Sequence, residues 1–314
     1  MSTLDARLRP AAFRKAPSET FLFSGIAVLA ILVFGLGVAT PPLSVQIVVL
    51  AVLAAVLGLP HGALDPLIAR RAGLWRTAPG FAIFNLGYFA IVVAVAGIWI
   101  VAPGPSLVAF LLVSGAHFGS DWNADRPFWL RVIVGIGLLS LPAFAHQEEV
   151  GGLYETLAPG SGAVIASVQA GIAPALMAGM LVAAILAFRS RRLHEAVELV
   201  LAGLLALAAP ALIFFAIYFC ALHSARHLRE GFRAERGGGR FAVFITVVYT
   251  VVPILAVGAL LALGASSGAA LDAQVLQLVF IGLAGLTVPH MILVSYAAAK
   301  ERRSLHPHGH VEQA

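Results

Sequence analysis

Charge is scarce in this chain: only 11% of its 314 residues are Asp, Glu, Lys or Arg and 60% are hydrophobic, where a soluble domain carries about 25% charged residues. That deficit excludes a water-soluble globular fold, which has no place to hide so much apolar surface. Cysteine is almost missing too. Cys220 alone excludes an intramolecular disulfide and leaves the redox compartment unread. Lysine occurs only at positions 15 and 300, outside or at the rim of the long apolar runs, and no two histidines are adjacent. Low-complexity segments are absent, as is any nucleophile-and-base motif. The net charge of +5 might have signalled an acidic partner, but the basic residues gather between apolar runs. They report topology, and no nucleic-acid partner is expected.

What fills the chain is apolar sequence. The runs 21–40, 81–102, 241–263 and 275–299 each reach or approach the ~20 residues that span a bilayer. In lipid they must be helices, because each segment has to satisfy its own backbone hydrogen bonds. Further segments fall near 43–59, 107–118, 129–145 and 173–188, with one more apolar region at 196–222. The basic start (Arg7, Arg9, Arg14, Lys15) leads into a run too long for a signal-peptide core, so that run reads as the first membrane helix.

Basic clusters follow the second segment (Arg70, Arg71, Arg76) and the sixth (Arg189, Arg191, Arg192), and recur between Arg226 and Arg240 and at 300–303. The positive-inside rule places them all in the cytoplasm with the N-terminus. A single crossing at 196–222 would put Arg192 and Arg226 on opposite sides. Pro210, in the middle of that region, predicts a break that folds the chain back. The expectation is an all-α, polytopic transmembrane helix bundle with about eight crossings and a short helical hairpin broken at Pro210, set in the inner (plasma) membrane with both termini cytoplasmic. Residues 1–20 form a basic tail, 21–299 the transmembrane catalytic domain, and 300–314 a second tail whose His306, His308 and His310 read as polar decoration.

Five of the ten histidines, His61, His117, His223, His227 and His290, fall in or beside apolar segments. Ionisable groups at membrane depth are costly and are functional candidates for that reason. Singly, each is equally well explained as a neutral imidazole bonded to a neighbouring helix. Spacing raises the case for more. His223 and His227 are four apart, which stacks their rings on one helix face, suited to chelating one ion. His61 with Asp65 and His117 with Asp121 repeat the interval. Those carboxylates have three readings: metal ligand, orienting partner of a histidine on another helix, or a cap or ion pair for nearby arginine. Orientation is preferred, because a ligating histidine usually donates its second N–H to a carboxylate or carbonyl. For Asp121 the bland reading is stronger, since Asp125 and Arg126 follow closely. His290 follows Pro289 as His61 follows Pro60. It reads either as an additional ligand or orienting group or as plain helix packing. Only with the fold-back at Pro210 do all four of His61, His117, His223 and His227 share the cytoplasmic half.

Neutral imidazoles suit iron, copper or zinc. The neighbours Phe118, Trp122, Phe214, Phe215, Tyr218, Phe219 and Tyr296 are aromatic. Each alone is ordinary packing. Around a buried metal they would suit a long, uncharged, lipid-dissolved substrate, and Phe118, Trp122, Tyr218, Phe219 and Tyr296 are the expected wall of its path.

The blocks Gly58-Leu-Pro-His-Gly-Ala-Leu-Asp65, Ser114-Gly-Ala-His-Phe-Gly-Ser-Asp121, His223-Ser-Ala-Arg-His227 and Pro289-His290 resemble, in the same order, the Brp/Blh family of membrane β-carotene 15,15′-dioxygenases found beside microbial rhodopsins. The resemblance implies cleavage of the central double bond of β-carotene by O2 to two all-trans-retinal, a non-haem Fe(2+) cofactor held by His61, His117, His223 and His227, and a link to a rhodopsin through retinal supply. It gives His290 no firm role and says nothing of the two tails. Other classes fit less well. A rhodopsin needs a lysine within a helix, and a di-iron desaturase needs clustered histidine boxes. A haem protein would show a Soret band. A transporter using the histidines and Asp65 as a metal or proton relay is the main non-enzyme alternative, and would show ion flux without product.

Overall fold

Prolines and glycines mark where the apolar runs stop. The computed structural model describes residues 16–38, 40–122, 126–235, 239–264 and 270–305. The basic start (Arg7, Arg9, Arg14, Lys15), Asp125, and the tail histidines His306, His308 and His310 lie outside the described residues. Helix α1 (Ser18–Gly35) starts behind Pro17 and ends in a turn at Gly37, whose φ of +67° suits glycine. Helix α2 (Leu43–Leu53) starts behind Pro42 and passes through a π-helical turn, Ala54–Gly58, into α3 (Leu59–Gly62) and α4 (Asp65–Arg71). Then come α5 (Ala78–Val101), capped by the Thr77 hydroxyl, and α6 (Pro103–Phe118), which tightens into a 3-10 turn at Gly119–Asp121. Next are α7 (Phe128–Ala145), the short α8 (Gln147–Leu157), α9 (Gly162–Arg189) and α10 (Leu193–Ala208). Helix α11 (Ala211–Ile217) runs through a second π turn, Tyr218–Ser224, into α12 (Ala225–Ala234), and α13 (Gly239–Gly264) and α14 (Leu271–Leu305) complete the bundle.

Among the described residues there is no strand. Eight helices are long and apolar enough to cross a membrane: 18–35, 43–71, 78–101, 128–145, 162–189, 211–234, 239–264 and 271–303. The outer surface is greasy, with Phe21 69%, Ile83 70% and Ile100 80% exposed, a cost in water that lipid removes. The protein is an all-α, multi-pass helix bundle. Among the described residues, the arginine and lysine of the turns lie at one end of it, here called the basic end. Among the described residues, the charged groups at the opposite end are acidic: Glu148, Glu149, Glu155 and Asp272.

At Pro210 the chain does fold back. Glu198 of α10 and Arg226 of α12, 28 residues apart, pair at 2.7 Å, so the two limbs run antiparallel. The limbs are unequal: the first has 16 residues, whereas the second continues unbroken from 211 to 234 and is long enough to span by itself. Its last part escapes an apolar reading because α12 is rich in arginine.

Close backbone approach fixes α6 against α7. A Cβ on Gly135 would sit 1.7 Å from the Gly115 carbonyl oxygen, and one on Gly119 would sit 1.9 Å from that of Arg131. Small residues four apart let the helices touch, and His117 lies between Gly115 and Gly119. The block around His117 therefore serves packing as well as chemistry.

Candidate metal centre

Two of the helical segments that carry these histidines depart into π geometry near the site. Pro60 cannot donate to the preceding turn, and Ala54–Gly58 before it is π-helical; His223 itself lies within the π turn Tyr218–Ser224. Single π turns inside α-helices are frequent at functional sites. Here the two turns face one another: a Cβ on Gly58 would come within 2.6 Å of the Phe219 ring, so only glycine lets them meet.

Five imidazoles converge from four helical segments. Ring nitrogens of His61, His117 and His290 lie within 4.8 Å of one another, and so do those of His117, His223 and His227. His117 belongs to both groups and joins them into one cluster. Its ring centroid is 4.7 Å from His223 and 5.2 Å from His290, while His61 is 5.3 Å from His223. His117, His223 and His290 are buried.

Hydrogen bonds behind the rings decide which nitrogen faces inward. Nδ1–H of His223 donates to Asp121 at 3.0 Å, and Nδ1–H of His290 donates to Asp65 at 2.7 Å. His61 Nδ1–H donates to the Gly58 carbonyl, with the Ser224 hydroxyl 3.2 Å away. A carboxylate or carbonyl acceptor puts the proton on Nδ1 and leaves the lone pair on Nε2. Each carboxylate is held in turn by a phenol: Tyr218 donates to Asp121 at 2.6 Å and Tyr88 to Asp65 at 2.8 Å. Two parallel chains result, His223–Asp121–Tyr218 and His290–Asp65–Tyr88.

Nε2 of His117, His223, His227 and His290 is buried without a hydrogen-bond partner. His227 Nε2 stands 3.3 Å from Asp121 without hydrogen-bond alignment. A buried polar atom left unpaired costs about 1–3 kcal/mol. Four on converging rings mark a place that a soft or borderline cation would satisfy, and the donor set fits such an ion.

A network of buried charged groups braces the site from outside. Glu198, fully buried, accepts from Arg226 at 2.7 Å and from the Trp122 indole at 3.0 Å, and the Thr20 hydroxyl also donates to it. Arg226 donates through its other arm to the Asp121 backbone carbonyl at 2.7 Å. Glu19 pairs with Arg229 at 2.6 Å. This network ties α1, α10, α12 and the turn after α6 together at the level of the histidines.

The structure brings His61, His117, His223 and His227 together, and gives His290 an equal place among them. Asp65 and Asp121 do not pair with the histidine one turn before them in sequence. Each reaches to a histidine on another helix, 225 and 102 residues away. Of the expected path residues, Phe118 meets His223 edge-on at 4.8 Å and Phe219 stacks on it at 5.8 Å. Trp122 and Tyr218 are instead occupied by Glu198 and Asp121, and Tyr296 is 45% exposed on the outside of α14. None of these three lines the apolar cavity that runs away from the site, walled by Phe110, Ser114 and Phe118 of α6, Phe215 of α11 and Phe280 of α14. Tyr88, Ser224 and Glu198 escaped the sequence reading. Their only signal was a polar group inside an apolar run.

A family profile described as Beta-carotene 15,15′-dioxygenase matches residues 52–297, which include all five histidines. A protein named Beta-carotene 15,15′-dioxygenase from an uncultured marine bacterium, 66A03, is 32% identical over 248 residues, covering 76% of this chain and 90% of that protein. The Probable beta-carotene 15,15′-dioxygenase Blh of Halobacterium salinarum is 25% identical, covering 94% of this chain and 96% of its own length. No solved structure matches.

Proposed function

This chain belongs to the beta-carotene 15,15′-dioxygenase family, and on that premise we propose that it is a membrane non-haem iron oxygenase converting β-carotene and O2 into two all-trans-retinal. The reaction balances without other reactants: one carbon–carbon double bond is lost, and each of its carbons takes one oxygen atom as an aldehyde. No net proton is gained or lost, in keeping with a chain that shows no nucleophile-and-base motif.

The convergence of unpartnered Nε2 atoms on His117, His223, His227 and His290 carries the metal reading. His61, His117, His223 and His227 would hold Fe(2+), with His290 as a fifth imidazole. Bound iron would supply the activation of dioxygen that side chains cannot. The protein's own part is positional. Asp121 and Asp65, steadied by Tyr218 and Tyr88, aim two of the rings, and ring orientation governs how well such ligands hold a metal. β-Carotene has no group to coordinate, so it must be held by shape beside the histidines. The apolar cavity supplies the shape.

The substrate would arrive dissolved in the bilayer. The basic end reads as cytoplasmic by the positive-inside rule, with both termini there, and helices rather than strands favour the inner membrane over a bacterial outer membrane. The product would serve a microbial rhodopsin. Purified protein given Fe(II), detergent-solubilised β-carotene and oxygen should form retinal, read by chromatography. Absence of retinal where a known cleavage enzyme succeeds would sink the proposal, and ion flux in liposomes without product would move the histidines to a transporter's relay.

A further inference from the structure

An enzyme that cuts a long, nearly featureless hydrocarbon at its midpoint has to measure length. The cavity beside the histidines is narrow, about 60 Å³ as it stands, so a hydrocarbon entering it must part the apolar side chains that wall it. Its two ends can be placed along α6. Phe118, at the histidine end, adjoins His117, and Leu107 lines the other end. At 1.5 Å per residue, Leu107 stands about 15 Å along the helix from His117. That is close to one half of a carotenoid, from its central bond to its ring.

The far end is closed by α8. Val150, Leu153 and Leu157 are buried and line the cavity there. This short helix, set at the opposite end of the bundle from the histidines, is fastened to three spanning helices. Glu149 accepts from the Ala211 N–H at 2.9 Å, the Leu157 carbonyl accepts from the Trp99 indole at 2.9 Å, and the Thr156 carbonyl accepts from Gln277 at 2.8 Å. Glu155 further accepts from the Gly162 N–H at 3.0 Å. An 11-residue helix has little reason to be held so firmly unless its position matters.

We propose that the cavity receives one half of the carotenoid and that α8, through Val150, Leu153 and Leu157, is the stop against which the ring comes to rest, so that the central double bond lies at the histidines. The inference rests on the reading of the histidines as the metal site and of β-carotene as substrate. One stop is enough. The molecule is symmetric, so fixing either half fixes the midpoint, and the other half needs only room. The aromatic walls suit a flat polyene, and the few polar atoms on them, such as the Ser114 hydroxyl, match a substrate with nothing to hydrogen-bond.

Adding bulk to the stop must move the bond. Leu153→Trp should lower retinal formation about 100-fold, the loss expected of a misplacement near 1 Å. The residual product should be an unequal pair of carbonyl fragments, such as one aldehyde and one methyl ketone, formed by the same exchange of one double bond and one O2 for two carbonyls. Bound iron and the thermal midpoint should stay at the wild-type level. Glu148→Trp, on the exposed face of the same helix, should leave both rate and products unchanged. Should Leu153→Trp not fold, Val150→Phe adds less bulk to the same stop and should also give unequal carbonyl fragments. Equal cleavage at the wild-type kcat/KM in a folded, iron-loaded Leu153→Trp or Val150→Phe would overturn the stop while leaving the dioxygenase reading intact. A wild-type protein that forms no retinal would overturn that parent reading itself.

Discussion

At the basic end of the bundle, His223, Asp121 and Glu198 are fully buried, and each acidic group there is met by arginine, histidine, a phenol or an indole. At the opposite end, the cavity is walled largely by phenylalanine and leucine and closed by α8, whose polar bonds tie it to the neighbouring helices. One end fixes atoms with directional bonds. The other end fixes a distance with non-directional packing. Directional bonds are what a metal site needs, because ring angles decide how ligands meet an ion. Packing is what a hydrocarbon needs, because it offers no other handle. The π turns at Ala54–Gly58 and Tyr218–Ser224 sit in the first region.

The contrast can be broken most forcibly at the histidines. Alanine at His61, His117, His223 or His227 should reduce retinal formation to background, whereas alanine at His146 or His194 should leave it unchanged, with chromatography as the readout. Full activity in any of the first four would remove that residue from the ligand set. Next in size is the bracing network. Glu198→Ala leaves the buried Arg226 with only the more distant Glu19 carboxylate, 3.6 Å away, and should destabilise the protein by up to about 3–5 kcal/mol, measured by unfolding in detergent. Glu198→Gln, which still accepts hydrogen bonds, should lose less.

Asp121→Asn and Asp65→Asn keep the size of the side chain and weaken its pull on the Nδ1 proton of His223 and His290. Each should weaken metal affinity about 10–100-fold with little change in stability, read from a metal titration. Equal affinity would reduce the two carboxylates to packing. The smallest effect belongs to the opposite end. Burial pushes the Glu149 carboxyl above its ordinary value of 4.5, against the Ala211 N–H, which favours the ionised form. A carboxyl raised in the folded state is held better protonated, so stability falls as pH rises from 4.5 through the raised value. Glu149→Gln should flatten that dependence and give a slightly higher thermal midpoint at neutral pH. An unchanged pH profile would show that Glu149 is not held against its charge.

Local patterns were readable in advance; long-range partners were not. The apolar runs, the fold-back at Pro210 and the histidine blocks stand in the sequence because each is set by neighbours within a turn or two. The pairing of Asp65 with His290 spans 225 residues, so the sequence could favour an orienting role toward a histidine on another helix without saying which one, and left His290 undecided. Tyr88 looked like one more aromatic in an apolar helix. Trp122, Tyr218 and Tyr296 seemed fit for a substrate wall until the first two proved to be donors to carboxylates and the third to face outward. Helix α8 is too short and too mixed in polarity to register as a membrane segment, although Val150, Leu153 and Leu157 fall on one face of it. The cavity exists only once α6, α8, α11 and α14 are assembled.

His117 is the one imidazole common to both histidine groups, which makes it the most direct test of a single shared metal site. Iron bound per chain should be measured on purified wild-type and His117→Ala protein loaded with Fe(II) and freed of excess metal. One iron per chain in the wild type and near none in His117→Ala is the expected result. Equal iron in the two, or none in a folded wild type, would contradict a metal centre built on these histidines.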